Sequence, residues 1–284
     1  MDNRVDVIIV GAGLAGTACA FVLAKAGVNV GVLERGNYAG AKNVMGGILF
    51  TPILERLIPD FLKEAPLERF IRERKFSLLS RDTEIAFSFQ TEKYNQPPHN
   101  HSFTVLRAKF DRWFATKAEE LGAMILANVV VDGLIWQGKK CVGVKTRLRE
   151  GDLYADVVVL AEGANSVIAE QEGLKLRSTE KNMAVAAKEL ISLPQEIIEE
   201  RFQLPGAEIE KNVPEGAAIE YFGDAVQGMF GNAFIYTNRH SLSVGIGSTL
   251  DQLIEKNLNP HDVLEYFKNH PCVRALLRNG KTVE

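Results

Sequence analysis

Apolar and polar positions change period along this chain, and each change marks an element. Residues 5–10, VDVIIV, are an apolar, β-branched run, the pattern of a strand buried on both faces. Small residues from Ala15 to Leu23 follow at helix-compatible spacing, and Gly27 stands where a C-cap belongs. The stretch VNVGVLE predicts a second apolar strand ending on Glu34. In LRAKFDRWFATKAEELGA, residues 106–123, Phe110, Trp113, Phe114 and Ala118 fall on one helical stripe, with Asp111 and Arg112 assigned to its surface side. DLYADVVVLAEGANS, residues 152–166, reads as a strand running into Glu162-Gly163.

After about residue 175 the pattern shifts. PQEIIEERF predicts an amphipathic helix beginning at Pro194. Short strands follow in GAAIEYFG, GNAFIYTN and HSLSVGIGST, the last alternating cleanly. Asn259-Pro260 opens another helix, and HPCVRALLRNG gives one more, capped near Gly280. No repeat and no low-complexity tract interrupts these elements.

Two features set limits on the class. The uncharged run 7–24, VIIVGAGLAGTACAFVLA, invites a signal peptide or a marginal membrane span as the competing reading. Against both, Asp6 precedes the run and glycines sit at fixed offsets inside it. The 284 residues carry a formal net charge of -3, which excludes the electrostatic footprint of a nucleic-acid binder. The three cysteines, Cys19, Cys141 and Cys272, lie far apart without a C-x-x-C pair. That argues against a disulfide framework, a zinc site or a self-contained iron–sulfur cluster, and fits a reducing cytosol.

The glycines are Gly11, Gly13 and Gly16, spaced G-x-G-x-x-G between the first strand and the first helix. Gly11 permits a tight turn, Gly13 lets backbone approach a pyrophosphate, and Gly16 allows the helix to pack closely on the strand. The helix N-terminus, with Ala12, Leu14 and Ala15, offers N–H groups and a positive dipole end to phosphates. Glu34, eighteen positions after Gly16, is placed to accept ribose hydroxyls and would repel a 2′-phosphate, with Arg35 beside it. The competing reading has the glycines serve strand–helix packing alone. The motif by itself leaves FAD and NAD both open.

Arg107 with its apolar helix, and the strand ending in Glu162-Gly163 and Asn165-Ser166, resemble the FAD-dependent family of aromatic hydroxylases, geranylgeranyl reductases and electron-transfer-flavoprotein–quinone oxidoreductases. That family usually has Asp-Gly where this chain has Glu162-Gly163. GAKNVMGGILF, LIPDFLKEAPLERFI, AVAAKELISLPQEIIEERFQL and GDAVQGMFGNAFIYTN narrow the resemblance to its FixC branch. The resemblance implies an α/β fold, with a Rossmann-like FAD-binding domain in three ββα layers over residues 1–175. A smaller α+β domain on the substrate or quinone side spans 176–284, and about residues 50–100 are free to pack with it. It implies FAD as cofactor, with Gly11, Ala12, Gly13, Leu14, Ala15, Gly16, Glu34 and Arg35 around its ADP half. Residues 40–47, with Met45, Gly46 and Gly47, would lie beside the flavin ring, Arg107 at the flavin or its phosphates, and Val130 along the adenine. Glu162, Gly163 and Ser166 would complete the site. An ordinary glycine turn at 46–47 and a solvated Arg107 are the bland alternatives.

The same resemblance implies electrons taken from an electron-transfer flavoprotein and passed towards quinone, with a separate ferredoxin-like iron–sulfur protein as a further partner. A geranylgeranyl-reductase-like enzyme acting on an isoprenoid, and a non-catalytic interaction module, are the alternatives. The uncharged stretch 225–238 is a greasy wall for a quinone, a surface that dips into a membrane, or a strand pair of the core. Catalysis would belong to the cofactor, so no catalytic side chain and no metal ligand is assigned. His99, His101, His240, His261 and His270 read as solvated or capping residues. The chain stops at LLRNGKTVE, before the Gly-Asp phosphate segment that the family places further on, so it is expected to be C-terminally truncated. Any membrane contact would be peripheral, at the inner face.

Overall fold

The computed structural model describes residues 4–43, 47–90, 102–149, 151–206, 208–209 and 213–284. Along the chain run β1 (Arg4–Val10), α1 (Leu14–Lys25), β2 (Val30–Glu34), β3 (Ile48–Phe50), α2 (Pro52–Leu57), α3 (Phe61–Glu64), β4 (Leu67–Leu79), β5 (Glu84–Gln90) and β6 (Ser102–Val105). Next come α4 (Arg107–Glu119), β7 (Met124–Ala127), β8 (Val131–Gln137), β9 (Lys140–Thr146), β10 (Leu153–Leu160), α5 (Val167–Gln171), β11 (Ala184–Ser192) and α6 (Gln195–Arg201). The chain continues through β12 (Glu208–Ile209), β13 (Val213–Gly223), β14 (Gly231–Thr237), β15 (Ser241–Thr249), α7 (Leu250–Glu255), α8 (Pro260–Asn269), α9 (Arg274–Leu277) and β16 (Lys281–Thr282).

The chain divides into two compact units. The first joins Met1–Asn43 to Arg107–Arg177 around a sheet ordered β7-β2-β1-β10-β9-β8. Strands β7, β2, β1 and β10 pair in parallel, whereas β9 and β8 continue antiparallel. Alternation along β1 explains the layers. Ile9 lies against Gly16 of α1, and α1 in turn packs on α4 through Phe21 and Phe114, ring centroids 6.0 Å apart. Ile8 and Val10 face the other way and cluster with Leu33, Leu134, Val144 and Ala155, so the β8–β9 hairpin covers the second face. Helices, parallel sheet and hairpin make three layers. The run 7–24 is thus divided between a strand and a twelve-residue helix, and among the described residues no helix is long and apolar enough to cross a membrane.

The second unit holds Val44–Leu106 and Ser178–Glu284, the larger share of the chain. Residues 48–105 join it because β4 pairs in parallel with β13 along nearly its whole length, while β6 and β3 extend the sheet beyond β4. Its order is β16-β11-β15-β14-β13-β4-β6-β3. Ile198 of α6, Leu253 of α7 and Val263, Leu264 and Phe267 of α8 pack on Ile219, Tyr221, Ile235, Val244 and Ile246. Asn259 caps α8 by accepting the His261 N–H at 2.9 Å. After α9 the left-handed position falls on Asn279, φ 64°, rather than on Gly280. A buried cation lies inside this sheet: Arg69, 0% exposed, donates to the carbonyls of Asn238 and Glu215, each at 2.8 Å, and to Glu199 Oε1 at 3.2 Å.

Candidate functional site

The turn between β1 and α1 is built on three glycines with three different reasons. Gly11 has φ +103°, and a Cβ there would lie 2.5 Å from the Ala161 carbonyl oxygen. At Gly16 a Cβ would meet the Gly11 carbonyl oxygen at 1.9 Å, so only glycine lets α1 close on the turn. Gly13 differs: the nearest protein atom to a Cβ there is Asn43 Nδ2, at 3.9 Å. Among the described residues, no packing demands a glycine at that position. Space in front of the backbone does.

That space is a cleft of about 370 Å³ in the first unit. Gly11, Gly13, Glu34, Arg35, Val130, Glu162 and Gly163 line it, which unites seven of the positions expected from the sequence. Gly13 is the N-cap of α1, no side chain caps that helix, and its first turn holds no acidic residue. The end of the helix therefore presents unsatisfied N–H groups and a positive dipole end beside the cleft. Glu34, 8% exposed, accepts the Ala12 N–H at 2.9 Å and the Gly36 N–H at 2.6 Å. Each carboxylate oxygen retains a second acceptor direction, which suits ribose hydroxyls. These features fit a dinucleotide: an open backbone and helix dipole for the pyrophosphate, and a carboxylate for the sugar.

The other expected residues among those described lie outside the cleft lining, and the Glu162 side chain is engaged by α5. Ala12 is fully buried and acts through its N–H on Glu34; Leu14, Ala15 and Gly16 belong to the start of α1. Both Glu162 carboxylate oxygens accept backbone N–H groups of α5, from Ile168 at 2.9 Å and Ala169 at 3.0 Å. Ser166 accepts from Lys175 Nζ at 2.8 Å. Arg107 makes a two-point ion pair with Asp111, Nε to Oδ1 at 2.8 Å and a terminal nitrogen to Oδ2 at 2.9 Å. Asp111 is 1% exposed, which corrects its assignment to a surface face: Asn43 and Arg107 bury it. Arg112 does lie outward, over the Tyr38 ring at 4.1 Å. Met45 and Gly46 lie outside the described residues, as do His99 and His101.

Gly47 belongs to the second unit, where a Cβ would lie 3.0 Å from Tyr236 Cδ2. Tyr236 stacks on Phe234 at 4.5 Å, and burial pushes its phenol up to about 12. Of the uncharged stretch 225–238, Ala225, Val226, Met229, Phe234 and Ile235 belong to the buried core, and Phe230 is exposed. His270 is buried, with Nδ1 accepting the Cys272 N–H and Nε2 against the Ser80 carbonyl, a structural use of both ring nitrogens. Glu189, His261 and Glu265 bring ligand atoms within 4.8 Å of one another, but Lys268 Nζ already bridges the two carboxylates.

Two further cleft residues, Lys42 and Asn43, come from the 40–47 stretch that the family resemblance sets beside the flavin. They follow Glu34 in a segment without periodicity, and only the fold reveals that it returns to the glycine turn.

Residues 6–113 match the family model of FAD dependent oxidoreductases. Over its whole length the chain is 40% identical to Protein FixC of Bradyrhizobium diazoefficiens and 42% identical to Protein FixC of Escherichia coli. The chain is similar to these FixC proteins along its whole length. It spans about 64% of the length of these curated relatives. A geranylgeranyl bacteriochlorophyll reductase-like protein of Thermoplasma acidophilum shares the fold at a TM-score of 0.76, over 99% of this chain and 64% of that one, with 22% identity. The family model is that of FAD-dependent enzymes, and the glycine turn, the Glu34 carboxylate and the cleft between them fit such a dinucleotide.

Proposed function

We propose that this chain is the FAD-binding portion of an oxidoreductase that accepts electrons from an electron-transfer flavoprotein and delivers them towards quinone. The observation that carries the proposal is the cleft in front of Gly13, where an uncapped helix N-terminus and the Glu34 carboxylate meet. Bound FAD would supply one- and two-electron transfer. The chain's own residues bind and orient it: Gly11, Gly13 and the start of α1 take the pyrophosphate, while Glu34 takes the ribose. Glu34 in this position disfavours a 2′-phosphate, which speaks for FAD over NADP.

An apolar acceptor is favoured by the second unit. The β4–β5 hairpin carries Phe76 opposite Phe87 and Leu78 opposite Ile85 on one face, with Phe89 alongside, and all five are exposed. A quinone with an isoprenoid tail matches such a surface, and so does the isoprenoid of a geranylgeranyl-reductase-like enzyme, the second reading. The two separate in one assay. Anaerobic mixing of the FAD-loaded chain with reduced electron-transfer flavoprotein should bleach the flavin faster than mixing with NADH. A flavin that is reduced by neither, yet after chemical reduction saturates a prenyl lipid, supports the second reading and contradicts the first.

A further inference from the structure

The cleft of the first unit is bordered by a side-chain network that links the loop after β2 to α4. Asn43 lines the cleft, and its Nδ2 is the first protein atom a side chain on Gly13 would meet. The same Nδ2 donates to Asp111 Oδ2 on α4. A carboxylate only accepts, so this contact fixes which end of the amide is nitrogen. Asp111 is almost wholly buried and also receives the two-point donation from Arg107. Gly40 completes the arrangement. Its φ is +89°, and a Cβ there would lie 2.5 Å from Asp111 Cβ, so glycine lets the loop backbone reach the carboxylate.

The charges decide what the network can face. A lone buried carboxylate beside the cleft would repel an anion, but Arg107 neutralises Asp111 through its fork. An amide has two N–H groups. One is used on Asp111, and among the described residues nothing takes the other, which leaves it for a group seated in front of Gly13.

We propose that Asp111 is a positioning residue that holds the Asn43 amide so that its second N–H donates to the pyrophosphate of the bound dinucleotide, with Arg107 cancelling the Asp111 charge rather than touching the cofactor. The inference rests on the dinucleotide reading of the cleft.

ADP and adenosine separate the phosphate contact from the rest of the site, and binding of each to the full chain is measured calorimetrically. Asn43→Ala keeps the Asp111–Arg107 pair and should weaken ADP about tenfold, the size of a hydrogen bond to a charged group, with adenosine unchanged. Asp111→Asn should weaken ADP in the same direction. In the double variant the loss should equal that of Asn43→Ala alone, because the Asp111 effect runs through Asn43. An Asn43→Ala chain that binds ADP like the wild type, or that loses ADP and adenosine alike, overturns the inference. Fully additive losses in the double variant overturn the Asp111 part of it. A wild-type chain that binds neither ADP nor FAD overturns the dinucleotide reading itself, and this inference with it.

Discussion

Glu34 at the end of β2 accepts the Ala12 backbone N–H at 2.9 Å, so the acid that would hold the ribose also locks the turn that would hold the pyrophosphate. Its second oxygen accepts the Gly36 N–H at 2.6 Å. Ligand binding and turn stability are therefore coupled through one buried carboxylate. Glu34→Gln turns an amide group towards a backbone donor and should cost about 1–2 kcal/mol in stability. FAD affinity should fall about tenfold or more, since a charged acceptor is lost at the ribose. Thermal melts with and without FAD check both halves of the prediction.

Gly13 and Gly16 should separate binding from folding. Alanine at Gly16 places a methyl 1.9 Å from the Gly11 carbonyl oxygen, so α1 must move, at a cost of about 2–3 kcal/mol. Alanine at Gly13, where φ is -71° and ψ 179°, strains no backbone and meets no atom of the described residues within 3.8 Å. Gly13→Ala should therefore melt like the wild type without FAD, yet lose most of the stabilisation that FAD confers. Equal melting losses for the two variants would contradict this division.

Much of this first unit is legible in the sequence because its elements are local. The β-branched run, three glycines and terminal acid lie within about thirty residues, and period alone separates strand from helix. The second unit is not local. β4 reads as LERFIRERKFSLL, which has neither a clean alternation nor a continuous apolar run, because its neighbour β13 lies more than a hundred residues away. Asp111 looks solvated at its helical position, and only the return of the 40–43 loop buries it. Charged residues satisfied by distant partners are the ones that composition and spacing misplace.

Arg69 is such a residue. Its guanidinium joins β4 to the β13 carbonyl of Glu215 and to Asn238 after β14, and a Cβ on Gly216 would lie 2.7 Å from its own Cβ. Arg69→Ala takes this donor from two buried carbonyls, leaves Glu199 with Gln195 in place of a cation, and should destabilise the chain by about 3–5 kcal/mol. Arg69→Lys should recover only part of this, because an ammonium lacks the planar fork. Urea unfolding of the two variants provides the comparison.

Glu189 makes acid sensitivity predictable. Burial raises its pKa, but hydrogen bonds from Lys268 at 2.8 Å and Thr282 at 3.0 Å outweigh it and hold the carboxyl below its usual 4.5. A lowered folded pKa contributes stability that is present above the unfolded value and disappears as pH falls through the folded one. Glu189→Gln should thus cost about 1 kcal/mol at neutral pH, and the gap from wild type should close below pH 4.5. A gap that widens on acidification would contradict the assignment.

Titration of the purified chain with FAD, followed by flavin absorbance, tests the central claim most directly. Saturation is expected at one FAD per chain, with displacement by ADP and a binding curve shifted to weaker affinity by Gly13→Ala. A folded chain that takes up no FAD, or whose uptake is indifferent to both ADP and Gly13, would contradict it.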